Sequence, residues 1–120
     1  MIRITTIDHR LFNVFQVTQV APSTFVEGIA GVDFIKIAPH SVSETHRHRH
    51  SDNVIFIIRG RALARLADEE HEIRPGMRIE IPKTVPHGFR TTDDELEFLS
   101  IQIPPILDEQ RSIFDREVIS

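Results

Sequence analysis

Apolar residues recur at every second position over most of this chain, and this period of two limits its fold. Segments of this kind that are rich in Ile, Val and Phe and end at turn residues are predicted to be strands. They are 11–20, 24–38, 53–58, 61–66, 71–74, 77–81, 87–92 and 95–103. Short strands at such close spacing predict an all-β domain, either a sandwich or a barrel of antiparallel strands.

The C-terminal stretch departs from this period. After a pair of prolines, the apolar residues Leu107, Phe114 and Val118 are spaced as on one face of a helix. Acidic residues stand early in the stretch, where they favour the start of a helix. The pattern therefore predicts a short C-terminal helix after the last strand.

Composition narrows the possible functions. A chain of 120 residues is long enough for one core, so residues 1–120 are expected to form a single domain. The net charge of −4 and the absence of a basic stretch argue against nucleic-acid binding. No apolar run reaches the roughly 20 residues that span a membrane, and a cytoplasmic location is the default expectation. Because the chain has no cysteine, a metal ion would need nitrogen and oxygen ligands.

Histidines form the strongest chemical signal. His46 and His48 are two positions apart, so on a strand both side chains point to the same face. His87 supplies a third imidazole from a separate predicted strand. Three histidines that meet in a small β domain indicate a metal site with open positions for chemistry or ligand binding. The alternative to a metal site is that His46 and His48 belong to the exposed, polar end of a strand. In either case Arg47 and Arg49 lie on the opposite face of that strand.

The histidines belong to two clusters that resemble the two motifs of the cupin superfamily. The first cluster contains His46, His48, Asn53 and Gly60, and the second contains Gly76, Pro82, Thr84 and His87. The resemblance implies a single cupin domain with a jelly-roll β-barrel of antiparallel strands. The first motif would span about 40–60 and the second about 76–91.

This resemblance also implies a ligand set. His46, His48 and His87 would hold one divalent metal ion, which could be Fe, Mn, Ni, Zn or Cu. Asn53 stands where the family commonly has a glutamate, and it is expected to be a weak or water-mediated fourth ligand. Asp52 and His50 are the alternatives for that position. Thr84 stands where the second motif normally has a glycine.

Strand parity predicts the surroundings of the metal. If His87 points inward, Phe89 does so too, and Phe98, Ser100 and Gln102 share one face of the last strand. These four residues are the predicted substrate pocket, with Gln102 as the candidate catalytic residue. Relatives in uronate degradation use a carboxylate on the last strand for proton transfer, a role that Gln102 cannot play in the same way.

Strand parity places no other acidic side chain clearly inside the predicted pocket, although the positions of Glu44 and Asp52 put them near its mouth.

Three function classes follow. The first is a metal-dependent enzyme that oxygenates, isomerises or rearranges a small polar organic substrate. The second is a non-catalytic cupin that binds or senses a small ligand such as a sugar acid or another anion. The third is a structural or interaction module with vestigial histidines. In addition, strand 53–58 is apolar on both faces, which predicts cover on both sides. The outer cover could be a second subunit, as in a homodimer, or a second sheet formed by the N-terminal strands of the same chain.

Overall fold

The computed structural model describes residues 2–119, and within them the regular structure is entirely β. The strands are β1 (Arg10–Phe12), β2 (Phe15–Gln19), β3 (Gly31–Ile37), β4 (His46–Arg47), β5 (Asp52–Arg59), β6 (Ala62–Leu66), β7 (Glu69–Ile73), β8 (Arg78–Ile81), β9 (His87–Thr91), β10 (Leu96–Ile103), β11 (Leu107–Asp108), β12 (Ile113–Phe114) and β13 (Glu117–Val118). The prediction of an all-β fold is confirmed. In the described part of the chain, no helix is long and apolar enough to cross a membrane.

Two antiparallel sheets enclose the core. One has six strands in the order β1-β2-β3-β10-β5-β8, and the other has five in the order β13-β4-β9-β6-β7. Their inner faces meet in one hydrophobic cluster, to which Ile55 and Phe98 contribute from the first sheet and Ala64 and Phe89 from the second. Eleven of the described strands form these two separate sheets, and β11 and β12 form a third, two-stranded sheet. The predicted jelly-roll β-barrel is therefore corrected to a two-sheet jelly roll in which the barrel is not closed.

The predicted C-terminal helix is wrong. Residues 107–118 form three two-residue strands, and β13 pairs with β4 through Glu117 opposite Arg47 and Val118 opposite His46. The open edge of β4 offers backbone partners to this segment. Short helices have little stability of their own, so this tertiary pairing outweighs the helical spacing of a few apolar residues.

Two predicted strands are also shorter than expected. Residues 24–30 form turns, and only Gly31–Ile37 of the predicted segment 24–38 is a strand. The predicted strand 11–20 is a hairpin of β1 and β2, with Asn13 at a positive φ of 55° in its turn. Asparagine tolerates this left-handed conformation better than most residues, which explains a turn inside an apolar segment.

Strand β5 is covered on one side only. Ile55 and Ile57 are buried. On the other face, Val54, Phe56 and Ile58 are 36% to 45% exposed. The prediction of cover on both sides is therefore wrong for the single chain. Together with Ile101 and Ile103 of the adjacent β10, the three exposed residues form an apolar patch, the outer stripe.

The motif residues explain two tight turns and one strained position. Gly60 and Gly76 have φ values of +85° and +90°, and a Cβ on Gly60 would lie 2.0 Å from the carbonyl oxygen of Glu95. Thr84, where the family motif has glycine, adopts a φ of +74°. This conformation is unfavourable for a β-branched residue. Its N–H donates to the carbonyl of His48 at 2.6 Å, which ties the second motif to the first.

Candidate metal centre and its cavity

The three histidines of the two motifs meet between the sheets. His46 in β4 lies opposite His87 in β9, and His48 follows two residues after His46. Their ring centroids are 4.4 to 5.1 Å apart, and one ring nitrogen from each lies within 4.8 Å of the others. Each side chain is at most 6% exposed. The fold thus places three buried imidazoles around one point.

Backbone carbonyls fix the orientation of each ring. The Nδ1 of His46 lies 3.2 Å from the Glu44 oxygen, that of His48 lies 2.6 Å from the Asp115 oxygen, and that of His87 lies 2.9 Å from the Val85 oxygen. A carbonyl only accepts hydrogen bonds, so each Nδ1 carries the proton. The Nε2 lone pair of each ring is left free to bind a metal ion.

Burial also keeps these imidazoles neutral. It lowers the pKa of His46 to about 2 and that of His87 to about 4, and neighbouring positive charge adds to the effect in both. Burial likewise holds the pKa of His48 below its usual value. Neutral imidazole is the form that coordinates metals, so the triad needs no deprotonation near neutral pH.

The segment predicted as a helix holds this site in place. We call residues 113–118 the C-terminal strap. Asp115 in the strap accepts hydrogen bonds from the N–H groups of Arg49, His50 and Ser51 at 2.7 to 2.9 Å. Burial alone would raise the pKa of the Asp115 carboxyl, but these bonds lower it on balance. The strap therefore fixes the loop after His48 as well as the His48 ring.

Asn53 faces the same cavity as the histidines. It is buried at the start of β5, and its Oδ1 accepts a hydrogen bond from the Ser100 hydroxyl at 2.8 Å. A carboxamide oxygen has a second lone pair, which is available to a further partner. The two alternatives lie outside the cavity. Asp52 is exposed and accepts the Lys83 N–H at 2.8 Å, and His50 is exposed.

A cavity of about 80 Å³ extends from the triad. The four residues predicted for the substrate pocket all line it, namely Phe89, Phe98, Ser100 and Gln102. The two phenylalanines are also part of the core, with ring centroids 5.0 Å apart. Arg116 of the strap adds a cation to the wall, and its guanidinium pairs with Glu44 at 2.9 Å.

One carboxylate in this cavity was missed by the sequence reading. Asp33 in β3 lines the cavity, and burial raises its pKa to about 6. The expectation that no further acid faces inward is therefore wrong. The signal was present in the strand parity, since Asp33 shares a face with Ile35 and with Ile37, which is fully buried.

The donor set fits a divalent metal ion. Three neutral imidazoles with free Nε2 atoms are good ligands for Zn, Cu, Fe or Ni, and the Nδ1 contacts to backbone carbonyls are the usual support for such ligands. His46, His48 and His87 form this group.

Comparisons with known proteins agree with this fold. The cupin domain family model matches residues 33–102, which include all three histidines and Asn53. The chain therefore belongs to the cupin family. Protein SchB of Streptomyces halstedii is 30% identical over 79 residues, which cover 66% of this chain and 56% of SchB. The chain spans little more than half the length of the curated relatives that it matches.

Two solved structures show the same fold. KdgF from Halomonas sp. has a TM-score of 0.73 and 18% identity, with 86% of this chain and 90% of KdgF covered. The polyketide cyclase RemF from Streptomyces resistomycificus has a TM-score of 0.74 and 19% identity, with 86% of this chain and 79% of RemF covered. At this level of identity the similarity establishes the fold and leaves the activity to the site.

Proposed function

We propose that this protein is a metal-dependent enzyme that isomerises or rearranges a small polar organic acid. The observation that carries the proposal is the convergence of three buried, neutral histidines on one wall of a cavity between the sheets. A structural role for the histidines needs no such cavity. The likeness in fold to RemF, a polyketide cyclase, supports an enzyme.

The cavity wall indicates the kind of substrate. Most of its surface is apolar, and its polar groups are few and lie on defined sides, as is usual in sites for small molecules. Arg116, which pairs with Glu44 through one Nη2–H group, has further N–H groups that suit a substrate carboxylate. Asn53, Ser100 and Gln102 supply neutral donors and acceptors for hydroxyl or carbonyl groups.

Different residues of the cavity would have different roles in such a reaction. His46, His48 and His87 would hold the metal ion, with Asn53 as a weak fourth ligand. When bound, a divalent ion at this position acts as a Lewis acid on a carbonyl or carboxylate oxygen. Phe89 and Phe98 close the cavity on the core side, which keeps water away from a bound substrate.

The test combines metal loading with a panel of small acids. The protein is stripped with a chelator, reloaded with Zn, Mn, Fe or Ni, and incubated in D₂O with pyruvate, 2-oxobutyrate or galacturonate. Proton NMR follows C–H exchange and isomerisation, and an oxygen electrode follows oxygenation. We expect at least one loaded form to accelerate exchange or isomerisation beyond the free metal ion, with no effect from the stripped protein.

Other results would contradict the proposal. Oxygen consumption without exchange would point to an oxygenase instead. Tight binding of an acid without turnover by any loaded form would favour a binding or sensor cupin.

We also propose that the outer stripe is covered by a second copy of the chain. Five large apolar side chains lie next to one another on the face of β5 and β10 that the single chain leaves open. Exposed apolar patches of this kind mark interaction sites. We expect light scattering to give twice the mass of 13.8 kDa, and the substitution Phe56→Glu to return it to one copy. A monomeric wild-type protein would refute the dimer.

A further inference from the structure

Asp33, which is partly buried, and Gln102, which is fully buried, form a hydrogen-bonded pair in the wall of the cavity. The Gln102 Nε2 donates to the Asp33 carboxylate at 2.9 Å and to the Ser100 hydroxyl at 2.8 Å. The Ser100 hydroxyl in turn donates to the Asn53 oxygen at 2.8 Å. A chain of hydrogen bonds therefore connects the carboxylate to the residue beside the histidines.

The fold fixes the direction of the Gln102 amide. Its Oε1 accepts the backbone N–H of Ile106 at 3.3 Å, so its NH₂ group must face Asp33 and Ser100. Gly31 makes room for this arrangement, because a Cβ there would lie 2.0 Å from the Gln102 Oε1. Gln102 is thus held as a donor to Asp33.

We propose that Asp33 is the acid–base residue of this site and that Gln102 is its positioning residue. The inference rests on the proposed function, since it requires a small organic acid bound in the cavity. It moves the catalytic role from Gln102, an amide that is too weak an acid and too weak a base at neutral pH, to the neighbouring carboxylate on β3.

The proposed proton transfer accounts for every proton and electron pair without a further reactant besides solvent water. The Asp33 carboxylate takes the proton from a carbon next to a carbonyl, and the electron pair of that C–H bond moves into an enolate. The carboxylic acid exchanges its proton with solvent deuterium and then returns a deuteron to the same carbon, which gives exchange. Where that carbon carries a hydroxyl group, the intermediate is an enediolate. Return of the proton to the former carbonyl carbon, with transfer of the hydroxyl proton to the other oxygen, then gives isomerisation. Neither reaction needs an oxidant or a reductant.

The environment suits such a role. Burial raises the pKa of Asp33 to about 6, although the Gln102 hydrogen bond and the charge of Arg10 act in the opposite direction. An acid–base group with a pKa near the working pH transfers protons in both directions efficiently. The other titratable or charged groups that line the two cavities flanking Asp33 are His46, His48, His87, Arg116, Glu27, Asp108 and Glu109.

The decisive variant is Asp33→Asn, with Asp52→Asn as the matched control. Asp52 is an exposed acid outside the cavity, and it lies next to Asn53 in the sequence. The metal-loaded proteins are compared for C–H exchange of pyruvate and 2-oxobutyrate in D₂O. We expect Asp33→Asn to slow exchange at least about 100-fold. Its affinity for Zn should stay within about 2-fold of wild type, because Asp33 is not part of the histidine group.

Two further readouts separate catalysis from a structural role. The wild-type exchange rate should fall as the pH drops below about 6, where Asp33 becomes protonated and ceases to be a base. The residual rate of Asp33→Asn should lack this step. In Asp33→Ala, added formate should restore part of the exchange by occupying the vacated space.

The possible results distinguish a failure of the role of Asp33 from a failure of the proposed function. Exchange by the wild type together with full activity of Asp33→Asn overturns the role of Asp33 and leaves the enzyme proposal intact. If the wild type exchanges neither acid in any metal-loaded form, both the role of Asp33 and an enzyme acting by proton transfer are refuted. Loss of Zn binding in Asp33→Asn would mean that Asp33 supports the metal site instead.

Discussion

His48→Ala is expected to weaken the binding of a divalent metal ion strongly, whereas His50→Ala is expected to leave it unchanged. The two histidines are two positions apart in the same segment, but only His48 is buried and lines the cavity. Loss of a supporting residue typically costs 10–100-fold in affinity, so loss of a ligand should cost at least about 100-fold. Elemental analysis and calorimetric titration with Zn measure the difference.

The backbone contacts of the triad explain why this effect should be large. Each ring is already fixed by its Nδ1 contact, so little orientational freedom is lost when the ion binds. Removing one imidazole leaves two nitrogen ligands and a cavity in place of the third. His50→Ala keeps the backbone N–H that donates to Asp115 and so preserves the loop.

Equal metal binding by His48→Ala and the wild type would contradict the metal centre. Equal losses in the two variants would show that the exposed His50 also coordinates. Thermal melts of the stripped proteins provide the control for folding. Asn53→Glu extends the series, because a carboxylate at this position should tighten binding if residue 53 is in the coordination sphere.

The strands and the triad were accessible to sequence reasoning because their determinants are local. Side-chain parity sends His46 and His48 to one face, and the same rule places Phe98, Ser100 and Gln102 along one face of β10. The motif glycines also have a local cause, since Gly60 adopts a left-handed conformation. The resemblance to cupins then supplied the pairing of the two motifs.

The C-terminal strap could not be predicted from the sequence, because its determinants are contacts between distant parts of the chain. Asp115 bonds to backbone groups 64 to 66 positions earlier in the chain, and no periodicity within 107–118 reports such contacts. The helical spacing in this segment was real but weak, and the pairing of β13 with β4 overrode it.

The inward position of Asp33 was not predicted from the sequence, because Asp33 is a charged residue. Its parity with Ile35 and Ile37 places it inward, but a buried carboxylate is normally unfavourable, so hydrophobic patterning alone does not assign it to the interior. Its long-range partner Gln102, 69 positions away, helps to satisfy it. A charged residue in register with an apolar face is thus a useful signal for a functional group.

Asp115→Ala is expected to have the second large effect, on both stability and metal affinity. The substitution removes the acceptor of three backbone N–H groups, those of Arg49, His50 and Ser51. Hydrogen bonds to a charged group are among the stronger ones, so the free energy of unfolding should fall by about 3 kcal/mol. Urea denaturation of the stripped protein measures this loss.

Metal affinity should fall as well, by about 10–100-fold, because the loop that carries His48 is no longer fixed. The matched control is Glu117→Ala in the same strap, which removes the partly exposed ion pairs with Arg47 and Arg49. Pairs of this kind contribute little, so the control should retain nearly wild-type stability and Zn affinity. If Asp115→Ala behaves like Glu117→Ala, the strap is a surface feature and the His48 loop is held by other contacts. If Asp115→Ala alone loses both properties, a segment far from the two motifs in sequence is a structural part of the metal centre.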